Sequence, residues 1–248
     1  MTHSISIAEN LSAIQSRIGA ACQRAGRSPQ EVRLIAVSKT KPFSAVQAAQ
    51  AVGMVDFGEN YVQELTEKIH AWQALPPQAQ QPVRWHMIGH LQKNKVKYLI
   101  GNVALIHSVD SLPLAECIEK EAAKQDALLN ILLEINAAAE ESKWGFSLAE
   151  AMDAARAVAS LPHLRLQGLM TSAPFTEDPE SNRPYFRSMK ELSREMHSLG
   201  LFSFGSEPFP FPILSMGMSG DFEVAIEEGA TMVRVGTSIF GARDYSSK

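Results

Sequence analysis

Leu34-Ile35-Ala36-Val37-Ser38-Lys39-Thr40-Lys41-Pro42 joins an apolar run to a lysine and then to a proline. The run has the length and character of a buried parallel strand. Pro42 ends it, because proline has no amide to give to a ladder. Lysine avoids such a place, since burying an ammonium costs several kcal/mol unless it is paired or neutralised. Two readings of Lys39 stand here. It lies just past the strand end in water, or it gives up its charge and can form a Schiff base with an aldehyde.

Outward from this stretch the pattern repeats. With residues 32–38 as the first strand, further short apolar runs lie at 54–58, 83–88, 105–109, 129–136, 164–170, 213–215 and 232–235. Segments with helical spacing separate them, among them 44–52, 61–72, 112–124, 148–160 and 185–199. Strands alternating with helices in this way predict an α/β fold, a closed (β/α)8 TIM barrel. An open doubly wound sheet is the alternative, but no Gly-x-Gly-x-x-Gly follows the first strand. Ahead of the barrel, Ile7, Leu11, Ile14 and Ile18 predict an extra N-terminal helix over residues 4–25, broken by Gly26 and Pro29. No linker divides the chain, so residues 1–248 are read as one domain. The Phe- and Pro-rich stretch from Phe202 to Pro212 is read as a loop inside the sixth-to-seventh unit.

Bulk properties narrow the function. Hydrophobic residues make up 45% and charged residues 20%, an ordinary globular balance. A net charge of -4 without a basic stripe argues against nucleic acid as a partner. Cys22 and Cys117 are too few for a disulfide framework or a zinc site. Residues 1–10 lack the apolar core of a signal peptide, and no apolar run approaches membrane-span length. A reducing cytoplasm is the expected location.

Function in such a barrel gathers at the C-terminal strand ends. Read in order, these ends present Lys39, Asn60, His86, Asn136, Met170-Thr171, Ser215-Met216-Gly217 and Arg234-Val235-Gly236-Thr237. The loops after the seventh and eighth strands form the usual phosphate site of these barrels. There Ser215 offers a hydroxyl, Gly217 and Gly236 allow close backbone approach, and amides near Thr237 can point at an anion. Ordinary turn glycines and a helix cap are the competing reading. Arg234 shares strand parity with Gly236. It either faces a ligand ring, where its guanidinium would keep a pyridine nitrogen unprotonated, or pairs with a neighbouring carboxylate. His86 either stacks on a planar ligand or is a satisfied core histidine. Asn60 is a ligand contact or a helix N-cap. His107, His163 and His197 form no recognisable metal site or nucleophilic triad.

Taken together, six motifs resemble a known family. They are Ala36-Val37-Ser38-Lys39-Thr40-Lys41-Pro42, Phe57-Gly58-Glu59-Asn60-Tyr61-Val62-Gln63-Glu64, Trp85-His86-Met87-Ile88-Gly89, Gly168-Leu169-Met170, Leu214-Ser215-Met216-Gly217-Met218-Ser219 and Val233-Arg234-Val235-Gly236-Thr237-Ser238-Ile239-Phe240-Gly241. In family order, from about Ile14 to Tyr245, they are similar to the pyridoxal phosphate homeostasis proteins (the YggS/PROSC family), relatives of the N-terminal barrel of alanine racemase. The resemblance implies a fold type III barrel with pyridoxal 5'-phosphate (PLP) as cofactor. It implies that Lys39, rather than Lys41, holds the cofactor as a Schiff base, a choice that strand parity leaves open. It also implies that Ser215, Gly217, Gly236 and Thr237 surround the phosphate, that Arg234 faces the pyridine nitrogen, and that Asn60 and His86 lie against the ring. Asn136-Ala137-Ala138-Ala139-Glu140 departs from the expected polar turn, although Ser142, Lys143 and Gly145 remain.

Racemisation needs a base on each face of the adduct, and in alanine racemase the second comes from a separate C-terminal domain of a dimer partner. The sequence carries no counterpart of that domain after the eighth unit. The expectation is therefore a monomeric PLP carrier or regulator in vitamin B6 and amino acid balance, without catalytic residues and with transient contact to PLP-dependent apo-enzymes. A PLP-dependent racemase-like enzyme of low activity is one alternative. A barrel binding another phosphate compound, with Lys39 acting electrostatically, is the other.

Overall fold

The eight strands expected from the sequence are present and close on themselves. In the computed structural model, which describes residues 6–203 and 212–241, they are β1 (Arg33–Val37), β2 (Asp56–Glu59), β3 (Arg84–Met87), β4 (Leu105–Val109), β5 (Leu129–Glu134), β6 (Leu164–Met170), β7 (Ile213–Ser215) and β8 (Met232–Val235). Every pairing is parallel and follows chain order, and β8 returns to β1 with Ile35 opposite Arg234. Most strand bounds lie within two residues of the expected ones. The largest shift is at β2, where Met54 and Val55 precede the ladder and the acidic Asp56 and Glu59 belong to it. Both carboxylates are buried against cations, which is why an apolar pattern misplaced the strand.

Helices α1 (Ile7–Arg24), α2 (Phe43–Gln50), α3 (Val62–Gln73), α4 (Leu112–Ala123), α5 (Ala151–Ala159), α6 (Arg183–Ser198), α7 (Phe222–Glu227) and α8 (Thr237–Phe240) cover the outside. The connection after β3 departs from the pattern, because a 3-10 helix, Lys93–Tyr98, takes the place of an α-helix. Alternating strand side chains divide the apolar residues into two cores. A small one inside the barrel consists of Ile35, Leu105, Leu132, Met170, Ile213 and Met232. The larger one, with Phe57, Phe186 and Phe222, lies between strands and helices. Burying each such phenylalanine contributes about 2–3 kcal/mol.

Helix α1 is the extra N-terminal element. Ser6 caps it by accepting from the Glu9 amide at 3.2 Å, and Glu9 accepts from the Ser6 amide at 2.8 Å, a reciprocal capping box. Its apolar stripe, Leu11, Ile14, Ile18 and Ala21, is buried. It packs on α2, α7 and α8, filling the outer layer where the four-residue α8 is too short to do so. Arg17 and Arg24 reach Glu223, Arg24 also reaches Glu227, and Arg27 donates to the Ile226 and Ala230 carbonyls. Of the stretch from Phe202 to Pro212, residues 204–211 lie outside the described residues, as does Tyr245.

Candidate functional site

A cavity of about 470 Å³ opens at the C-terminal mouth of the barrel. The ends of β1 and β2 supply Val37, Lys39, Thr40, Lys41 and Asn60. Ile88 follows β3. The segment after β6 adds Ser172, Pro174 and Phe175, the β7 loop adds Met218 to Asp221, and the β8 end adds Arg234, Gly236 and Thr237. The volume is of the size that holds a small cofactor.

Lys39 sits in a tight turn that the sequence builds locally. The Lys41 amide donates back to the Ser38 carbonyl at 3.0 Å, and Thr40 takes a left-handed φ of 63°. A threonine in that conformation stores about 1–2 kcal/mol of strain. The Thr40 amide is held by Glu64 Oε1 at 2.6 Å. Behind the turn, Lys68 is buried and donates to the Ser38 carbonyl at 2.8 Å, to Glu59 Oε1 at 2.6 Å and to Glu64 Oε1 at 2.8 Å. Ser38 also donates to Glu59 Oε1. Burial pushes the Glu59 carboxyl above its ordinary range, while Lys68 works against that rise. One strand end is thus clamped by a buried lysine and two glutamates.

Arg234 forms the cavity floor. It donates through Nη1 to the Ser215 carbonyl at 2.7 Å and to Ser215 Oγ at 2.8 Å, and through Nη2 to the Thr171 carbonyl at 2.8 Å. Burial lowers its pKa to about 10, opposed by Glu134 and Asp221, so the guanidinium stays charged at neutral pH. Burial, with the neighbouring Asp110 charge, raises Glu134 to about 7, and Arg234 partly offsets this. Asn60 lines the cavity wall, and its side-chain oxygen is buried with no hydrogen-bond partner among the described residues. Thr237 and Ser238 open α8, so their amides have no partner within the helix.

The structure therefore brings Lys39, Asn60, Arg234, Gly236 and Thr237 to one cavity and leaves three expected residues out of its lining. His86 is the clearest correction. It lies opposite Gly58 in the barrel interior, fully buried, and bonds to His107 and Asp56. The mouth position on that strand side falls two residues later, to Ile88. Ser215 is also buried beneath the cavity, where it holds Arg234. Gly217 carries the chain behind the lining with φ 90°, and its carbonyl accepts from the Arg234 amide at 3.0 Å. A Cβ there would lie 2.6 Å from that of Ala225. Asn136 does not reach the cavity either, but organises its own loop by bonding to the Glu140 and Lys143 carbonyls. Glu59, Lys68 and His107 were missed as site-supporting residues. The Glu64–Lys68 spacing of four on a helix was the available signal for the first group, and inward parity with Leu105 on β4 for His107. Among the described residues no group of three metal-ligating side chains occurs, and no helix is long and apolar enough to cross a membrane.

The alanine racemase N-terminal domain family matches residues 10–244. A pyridoxal phosphate homeostasis protein of Aquifex aeolicus is 43% identical over 96% of this chain and 98% of the relative. One from Escherichia coli K12 is 44% identical over 98% of this chain and 99% of the relative. The chain belongs to the pyridoxal phosphate homeostasis protein family. Within solved structures, PipY of Synechococcus elongatus with PLP bound is 31% identical, with a TM-score of 0.78 over 95% of this chain and all of PipY. An alanine racemase of Clostridium difficile 630, at 15% identity and a TM-score of 0.71 over 97% of this chain and 58% of the racemase, shares the fold. For this family member the racemase relation is thus a relation of barrels.

Proposed function

We propose that this chain binds pyridoxal 5'-phosphate as a Schiff base on Lys39 and acts in vitamin B6 and amino acid homeostasis as a carrier and regulator rather than as a robust catalyst. The observation that carries the reading is one cavity lined by Lys39, Asn60, Arg234, Gly236 and Thr237 in a chain whose relatives along nearly its whole length are named for pyridoxal phosphate homeostasis. The residues fit the cofactor. The cavity has room for it, Asn60 lines its wall, and a lysine shares the mouth with small, amide-rich turns.

When bound, PLP supplies an aldehyde for the amine and a dianion for the amides. The chain's own residues do the rest. The clamped turn aims Lys39 into the cavity mouth. Amides at Gly236 and Thr237 would hold the phosphate, with the Ser219 hydroxyl beside the Gly236 amide and with Ser215 and Gly217 shaping that end from beneath rather than lining it. Arg234 stays protonated and only donates, so a ring nitrogen facing it stays unprotonated, which weakens an electron sink. Exposed Phe175 and Met218 border the opening, an arrangement suited to handing the cofactor to apo-enzymes. The proposed form is a cytoplasmic monomer.

Borohydride reduction of the PLP-loaded protein followed by peptide mapping tests this directly. The expected result is a pyridoxyl mass on the peptide containing Lys39, and a visible band lost in Lys39→Ala; label on Lys41 alone would overturn the assignment. The shared racemase barrel favours a second reading, a racemase-like enzyme of low activity. Optical inversion of single amino acid enantiomers, proportional to protein, would establish it.

A further inference from the structure

The hydrogen bonds beneath the cavity dictate their own direction. Arginine only donates, so Arg234 Nη1, 2.8 Å from Ser215 Oγ, makes that oxygen an acceptor. The serine proton then goes to His107 Nδ1 at 2.8 Å. An imidazole nitrogen that accepts is bare, so neutral His107 carries its proton on Nε2 and donates to His86 Nδ1 at 3.0 Å. By the same rule His86 carries its proton on Nε2 and donates to Asp56 Oδ1 at 3.0 Å. Asp56 is fastened by Arg84 at 2.7 Å and by Arg33 at 3.1 Å. An unbroken, one-way chain thus runs from the cavity floor to the opposite end of the barrel.

Beside them in the barrel interior lies the apolar cluster of Ile35, Leu105, Leu132, Met170, Ile213 and Met232, so two fully buried imidazoles there cost desolvation that a leucine would not. An added proton breaks the chain's logic. If His107 carried protons on both nitrogens, it would donate to Ser215 Oγ together with Arg234, and the serine proton would lose its acceptor. We propose that Asp56, His86, His107 and Ser215 are positioning residues for Arg234, so that breaking or protonating the chain weakens the cavity's hold on the cofactor ring. The proposal rests on the PLP reading above. Among the described residues the charged groups that face the two imidazoles are Asp56, Arg33, Arg84 and Arg234, and those toward Arg234 itself are Glu134 and Asp221. Burial holds both histidines below the ordinary imidazole range, which keeps the chain intact at neutral pH.

Two measurements test the proposal. Histidine-selective 15N NMR of the cofactor-free protein should show His86 and His107 neutral and protonated on Nε2 at neutral pH. PLP titration followed by absorbance should show at least about tenfold weaker binding and an altered pH profile of the bound band in His107→Leu, with His107→Gln within about threefold of the parent. The glutamine amide can accept from Ser215 and donate to His86, so it preserves the direction, and a merely space-filling role would favour leucine instead. Should His107→Leu fail to fold, Ser215→Ala cuts the same chain with one atom removed and carries the same expectation. Parent-like affinity and pH profile in the cut variants, or Nδ1 protonation in the parent, would overturn the proposal. A parent that binds no PLP would overturn the cofactor reading instead, and the tautomers would then judge the chain by themselves.

Discussion

A single residue decides whether the cavity wall keeps its shape. Gly217 turns with φ 90°, where a side chain is strained, and an added methyl would press on the Cα of Phe222 at 2.9 Å as well as on Ala225. Gly217→Ala should cost about 2 kcal/mol or more in chemical denaturation and displace the Met218–Asp221 loop. A variant as stable as the parent would show that α7 can shift to make room. At this scale the sequence was readable where strand parity alone sets the outcome. Lys39, Arg234 and Gly236 were placed at the mouth by counting along their strands. His86 was not, because its depth depends on the stagger between β2 and β3. That stagger is set by pairing over the whole barrel and leaves no local mark.

Among elements, the β1–α2 turn depends on α3. Lys68 pairs with the buried Glu59 and the partly exposed Glu64 while satisfying the Ser38 carbonyl. Removing one partner of such a buried set strands the others, so Lys68→Met should destabilise by about 3–5 kcal/mol. Adding Glu59→Gln should recover part of that loss in a double-mutant cycle. Additive losses would mean that the two do not interact. The surface pairs of α1 are different. Glu223→Gln should cost only about 0.5–1 kcal/mol, and less at high salt, because Arg17 and Arg24 remain half in water. The positions of α1 to α6 were legible from apolar spacing to within a few residues, whereas the short α7 and α8 were given no bounds. The 3-10 turn after β3 was not legible, since the tract from Lys93 to Tyr98 buries Val96 alone and offers no stripe to read.

For the whole molecule, the buried histidines set an acid limit. Their folded pKa values lie below the unfolded value of about 6.5, so the unfolded chain binds more protons below that pH. Stability is fully present above about pH 6.5 and falls on acidification, by up to about 1.4 kcal/mol per pH unit for each histidine. Asp56, depressed by Arg84 and His86 against its burial, adds a further loss once the pH drops below its unfolded range near 3.8. Denaturant midpoints measured across this range should fall from about pH 6.5 downward, and His107→Leu should flatten the slope. A slope unchanged in that variant would assign the acid limit to other groups.

The placement of α1 also bears on when the fold can form. This helix is made well before the surface that covers its apolar stripe, because α7 and α8 lie at the other end of the described chain. The strand that follows it, β1, likewise waits for β8. Contacts this distant in sequence are slow to form, so α1 stays exposed and amphipathic until α7 and α8 have been made. Completion of the barrel is then a late, all-at-once event, and the nascent chain is most exposed to aggregation and to chaperones just before its last strand appears.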